Sequence, residues 1–162
     1  DLVNDGDRDP TLDFGFWQGG PPPVLNQPEI RTMASTNTGS IGLKLRDKIW
    51  VSGLEPTDRV RVSWTLRGAA RPVNGSCEDV KWKKAPIRAE GAFTMTGSGI
   101  HSTRRVTLHR VGCYTYSVEI AATSTTLAAS HLPGHPAETV RVQAKVSPAV
   151  NTGGSGWLTE RR

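Results

Sequence analysis

"RVRVSWTLRG", residues 59–68, decides the fold. Val60, Val62, Trp64 and Leu66 take every second position, and Arg59, Arg61, Ser63, Thr65 and Arg67 lie between them. A period of two is that of a strand with one face in a core and the other in water. The same period recurs in "CYTYSVEIA" (113–121), where Tyr114, Tyr116, Val118 and Ile120 share a face, and in "ETVRVQAKV" (138–146), through Val140 and Val142. Working outward, strands are expected at 29–34, 41–45, 47–52, 59–66, 79–88, 91–96, 103–109, 113–121 and 138–146. Pro86 should interrupt the fifth of these or place it on an edge, since proline gives a ladder no N–H. "AEGAF" and "TGSGI" carry the glycine that hairpin turns need. Residues 121–137 show no clean alternation, contain two prolines, and read as a long loop.

Seventeen Gly and eleven Pro are too many for long helices, and short strands between regular turn signals point to an all-β fold. The expectation is an Ig-like antiparallel β-sandwich of about seven to nine strands. Its predicted core is Ile49, Val51, Val60, Val62, Trp64, Leu66, Phe93, Val106, Leu108, Tyr114, Tyr116, Val118, Ile120, Val140 and Val142. An apolar content of 36% allows such a core without making it rich.

Three parts are expected along the chain. Residues 1–27 hold acidic "DLVNDGDRDP", the alternating stretch "TLDFGFW", and "QGGPPPVLNQP", whose proline triplet favours an extended polyproline II spacer. Residues 28–148 form the main body. Residues 149–162, Gly/Ser-rich and polar, read as a flexible tail. No signal-peptide pattern opens the chain, which is expected to be a mature or excised piece of a larger protein, or a cytosolic one.

The net charge of +5 raises the question of nucleic-acid binding. The spacing argues against it: in "RVRVSWTLR" and "VRVQAK" the cations alternate with apolar residues, as on the solvent face of a sheet. No apolar run approaches the ~18 residues of a membrane-spanning helix, so no membrane insertion is expected. Cys77 enters a strand from a loop and Cys113 opens one. Paired, they would close a loop of about 35 residues and stabilise the fold by roughly 3–4 kcal/mol. The alternative is two free thiols in a cytosolic core; Pro/Thr/Ser-rich β chains without helices are typical of exported proteins, which favours the disulfide.

"GDRDPTLDFGFW" resembles the closing strand of a Cna-B-like repeat of the serine-aspartate-repeat adhesin type, over about residues 4–17. The body is similar to modules found in tandem in large exported proteins of actinobacteria, sometimes upstream of a sortase domain or sorting signal. The stretches that carry this resemblance are "LRDKIWVSGL" (45–54), "VRVSWTLRG" (60–68), "GCYTYSVEIAAT" (112–123) and "AETVRV" (137–142). Many relatives place a Cys before the final "E-T" strand; here that loop reads "HLPGHPAET". The resemblance implies a non-catalytic structural spacer, extracellular or on the cell surface. Its partners would be neighbouring copies or flanking repeats. Leu12, Phe14 and Phe16 are the candidates for β-strand addition, through which copies would assemble head to tail into a fibre.

Catalytic signals are missing from the sequence. It has no G-x-S-x-G elbow, and "GSGIHSTRR" lacks the P-loop Lys-Ser/Thr pair and any following helix. Glu78 and Asp79, being adjacent, would point to opposite faces of a strand. His131 and His135 are four apart, but Pro133 and Gly134 exclude the helix that would align them, and no metal is expected there. Asp5, Asp7 and Asp9, with Asp1 and Asn4, are weak calcium candidates without the EF-hand spacing. The six lysines (44, 48, 81, 83, 84 and 145) form no convincing trio with Asn and an acid for an isopeptide crosslink. Trp64 aligns with the core face, while Trp82, among lysines, is expected to be exposed and is the candidate ligand-binding residue. An adhesin-type module that reads glycan or protein, of host or cell wall, through Trp82 or the 121–137 loop is therefore the alternative function.

Overall fold

The computed structural model describes Gly20 and residues 22–146. Leu12, Phe14 and Phe16, the calcium candidates Asp5, Asp7 and Asp9, and the tail from residue 149 lie outside the described residues. Among the described residues eleven strands run in the order β1 (Glu29–Ala34), β2 (Thr38–Ser40), β3 (Lys44–Leu45), β4 (Asp47–Ser52), β5 (Arg59–Ala70), β6 (Ile87–Thr96), β7 (Gly99–Ser102), β8 (Val106–Thr107), β9 (Gly112–Ile120), β10 (Ala129–His131) and β11 (Thr139–Gln143). The fold is all-β, as expected. The smaller sheet has the order β1-β4-β7 and the larger the order β2-β11-β9-β5-β6, with β10 also on β9; β3 and β8 form a separate pair. All these pairings are antiparallel except β2 with β11, which is parallel.

β5 is the spine of the larger sheet. It pairs with β6 on one side and β9 on the other, so Trp64 lies opposite both Gly91 and Val118. The core joins Val60, Val62, Trp64 and Leu66 to Tyr114, Tyr116, Val118 and Ile120 from β9, Val140 and Val142 from β11, and Ile49 and Val51 from β4. Of the predicted core residues, only Phe93 is not fully buried; it packs at the margin and stacks on His101, with ring centroids 3.7 Å apart.

Several expected elements differ. Gly91 makes no turn: it sits in mid-strand, where a Cβ would come within 2.7 Å of the Trp64 ring, so its missing side chain makes room for the indole. "TGSGI" does turn the chain, but the strand that follows, β7, joins the other sheet. The expected strand at 41–45 is a turn followed by the two-residue β3. Residues 79–86 are not a strand. They hold a 3-10 turn at Trp82–Lys84, and β6 begins at Ile87, immediately after Pro86. Proline cannot donate to a ladder, and "KWKK" lacks alternation, so neither property supports a strand there.

The disulfide between Cys77 and Cys113 is formed, and the described residues contain no free cysteine. It ties the β5–β6 connection to the outward face of β9. A second small core forms over that face from Trp82, Ala85 and Cys113, with Ala70, Cys77 and Val80 at its edge. Trp82 is therefore buried, at 7% exposure, which removes the basis for reading it as an exposed ligand-binding residue. The 3-10 turn rotates the indole inward, and Gly134 permits the fit: a Cβ there would lie 2.6 Å from Trp82 Nε1.

Candidate functional site

β10 and β11 lie along the same side of β9. β10 pairs with Val118–Ile120 and β11 with Gly112–Thr115. Together they resemble one strand broken in the middle. The break, residues 132–138, includes a 3-10 turn at Pro136–Glu138, with Pro136 in its first turn, where a missing N–H costs nothing. The Gly134 N–H donates to Thr115 Oγ1 at 2.9 Å, and Thr139 Oγ1 donates to the His135 carbonyl at 2.9 Å, fixing the loop against β9.

This break brings His131, His135 and Glu138 together. One ligand atom from each lies within 4.8 Å of the others. His131 Nε2 is 2.6 Å from Glu138 Oε1, and the two imidazole rings are 5.2 Å apart. Pro133 and Gly134 exclude a helix here, as the sequence indicates, but the turn they make folds the two rings to one place. His135 is exposed, His131 half-buried and Glu138 completely buried.

Glu138 shares the interior with Asp47, the first residue of β4, also completely buried. Both oxygens of each carboxyl lack a hydrogen bond of normal geometry, as do Tyr116 Oη and Thr32 Oγ1. All six lysines are exposed, so none neutralises the acids. Burial, with the Asp47 charge adding to it, pushes Glu138 up to about 9. Burial pushes Asp47 up to about 7, opposed in part by the main chain of Lys48 and Met33. Tyr116 is pushed up to about 12, again mainly by burial. His131 is lowered by burial; an Ile30 main-chain contact, which favours the protonated ring, acts the other way, and His135 lowers it further. A neutral His131 that donates to the Ile30 main chain presents a lone pair on the nitrogen facing Glu138, and a protonated Glu138 can donate to it.

Asp47 and Glu138 were missed as site residues, although a signal exists. Asp47 shares parity with Ile49 and Val51, and Glu138 with Val140 and Val142. Alternation therefore places both carboxyls on core faces. The disulfide cysteines are brought together as expected; Trp82 joins their cluster rather than a surface.

A concave feature of about 550 Å³ lies at the far end of β5. It is bordered by Ala70, Arg71, Arg110, Val111, Arg141 and Gln143, with no acid or histidine in its wall.

No family model matches the chain, and no curated protein matches it. Among solved structures it is similar to Spo0M, the sporulation control protein from Bacillus subtilis, at 10% identity over 73% of this chain and 50% of that one, with a TM-score of 0.42. It is also similar to β-glucosidase from Listeria innocua, at 9% identity over 74% of this chain and 17% of that one, with a TM-score of 0.38. The chain spans half of the first and less than a fifth of the second. Neither likeness bears on what this chain does.

Proposed function

We propose that the chain is a non-catalytic spacer module of a secreted or cell-surface protein, of the kind its resemblance to tandem actinobacterial modules implies. One observation carries the reading. The chain enters the sandwich beside the start of β5, where Asn26 Nδ2 donates to Asp58 Oδ2 at 2.7 Å. It leaves β11 beside the end of β5, where Val142, Gln143 and Ala144 flank Ala69 and Ala70. The entry and exit are thus separated by the length of a 12-residue strand, about 35 Å at strand rise. Copies joined end to end would extend a chain rather than fold it back. The disulfide supports an oxidising, extracellular setting, and among the described residues no helix is long and apolar enough to cross a membrane.

Head-to-tail assembly by β-strand addition is part of the proposal. The acceptor edge is β6, ten residues long and unpaired on its outer side among the described strands. Two experiments test the reading. Small-angle scattering on two copies fused in tandem through residues 1–27 should give a maximum dimension longer than the single copy by about 35 Å or more; an unchanged dimension would overturn the spacer geometry. Antibody to the module should label intact cells of the source organism, and labelling that requires permeabilisation would overturn the surface location.

The adhesin reading is favoured by a different observation, the groove with Arg71, Arg110 and Arg141 at its wall. Arg71 and Arg110 suit an acidic glycan or peptide, while the Arg141 guanidinium donates to the Gly75 carbonyl. Glycan-array binding that is lost in Arg71→Ala and Arg110→Ala would support it over the spacer.

A further inference from the structure

We propose that His131, His135 and Glu138 form a binding site for a divalent transition-metal ion of the zinc type. Two imidazoles and one carboxylate are a donor set that zinc uses, and their ligand atoms already lie within 4.8 Å of one another. With metal–ligand bonds of about 2.0–2.2 Å, tetrahedral donors stand roughly 3.3–3.5 Å apart. The exposed His135 ring must therefore swing in by about an ångström, and the His131–Glu138 pair, at 2.6 Å, must open by a similar amount. The ion enters between two groups now in direct contact, His131 Nε2 and Glu138 Oε1.

The second observation is Glu138 itself. Its carboxyl is completely buried and, apart from His131, finds no partner for either oxygen. A sandwich core does not need such a group; leucine would fill the space without the desolvation cost. A cation at this point supplies the missing partner. His131 presents Nε2 to the site, 2.6 Å from Glu138 Oε1. His135 uses Nδ1 only for a long bond from the Ala137 N–H, at 3.3 Å, which ligation would replace.

The donor types choose the class of ion. Calcium and magnesium want six or more oxygens, and here two of three donors are nitrogen. Three protein ligands leave a fourth position, on the side of the exposed His135, for water or for a carboxylate or imidazole of a partner. The ion would fasten the 132–138 break to β10, and does not depend on the spacer reading.

The test uses the full untagged chain, stripped with EDTA. Zinc chloride titrated calorimetrically should bind at one saturable site, and cobalt(II) in its place should give the intense visible absorption of four-coordination. His135→Ala, a substitution at an exposed position that leaves the core intact, should weaken zinc at least tenfold. Glu138→Gln should do the same, and His109→Ala should bind as the parent does. Zinc should also raise the melting temperature of the parent but not of His135→Ala. A loss smaller than tenfold in His135→Ala, or no saturable binding below about millimolar zinc, overturns the site.

Discussion

Replacing Asp47 by asparagine should make the protein more stable at pH 8 while leaving it nearly unchanged at pH 4.5. Asp47 is completely buried at the start of β4, and burial raises its carboxyl from 3.8 to about 7. The folded state therefore holds the proton more tightly than the unfolded one. Stability from this group is fully present below about pH 4 and is lost as pH rises through 7. Between pH 4.5 and 7 the loss accumulates at about 1.36 kcal/mol per unit, about 3 kcal/mol in all. Glu138, raised further to about 9, is coupled to Asp47 across the interior, so the first ionisation of the buried pair falls in this window. The asparagine amide carries no charge at any pH and fits the same space, and the main-chain bonds that Asp47 makes with Thr103 do not involve its side chain. Urea denaturation at pH 4.5, 6 and 8, with EDTA present, reads the difference directly. The stability gap between Asp47→Asn and the parent should widen by about 3 kcal/mol from pH 4.5 to pH 8. Parallel curves, with a gap independent of pH, would refute the reasoning and place the Asp47 carboxylate in contact with water or a cation.

Other outcomes follow from the same structure. Trp64→Ala should cost roughly 3–5 kcal/mol, because the indole is buried against Tyr116 and fills the space above Gly91; a melting temperature equal to the parent's would contradict that packing. Cys77→Ser with Cys113→Ser removes a link between residues 36 apart and should cost about 4 kcal/mol in the chain-entropy account, read by urea unfolding with and without reductant. Gly134→Ala should cost about 1–3 kcal/mol through overpacking against Trp82, and shift tryptophan emission to the red as that indole is pushed toward water; an unchanged spectrum would show that the 132–138 break yields instead.

Legibility in the sequence followed the strength of alternation. β4, β5, β9 and β11 each put three or more apolar or aromatic side chains, or two and an acid, on one parity, and their faces were readable. β7 and β10 are four and three residues long, too short for a period to emerge, so the sequence shows only turn and loop there. Trp82 misled because its neighbours are charged: "KWKK" looks like surface, but the cysteine at 77 draws this segment onto β9, and that coupling lies 36 residues away in sequence. The histidine pair misled for a related reason. Spacing rules for metal ligands assume a helix, whereas here a 3-10 turn after Gly134, opening at Pro136, brings the rings together. The acids were the clearest missed signal, since Asp47 and Glu138 lie on core parities that the strand reading itself had assigned.

The position of the acidic pair bears on how the two halves of the sandwich are joined. Asp47 comes from the smaller sheet and Glu138 from the turn that leads into β11 of the larger one, so the pair spans the interior at a place where β10 and β11 have given up a continuous ladder along β9. An unbroken strand would have paired with Tyr116 and Ser117 as well and kept its backbone groups satisfied within the sheet. The break replaces those bonds with side-chain bonds, from Gly134 to Thr115 and from Thr139 to the His135 carbonyl, and it turns Glu138 inward and both histidines to one side. Ordinary sandwich packing favours none of these exchanges. What they achieve together is a mixed nitrogen and oxygen donor set held by one short loop, with its buried member anchored in the core and its exposed member free to move, and that is the arrangement a site needs if a small ion is to enter from solvent and be held from within.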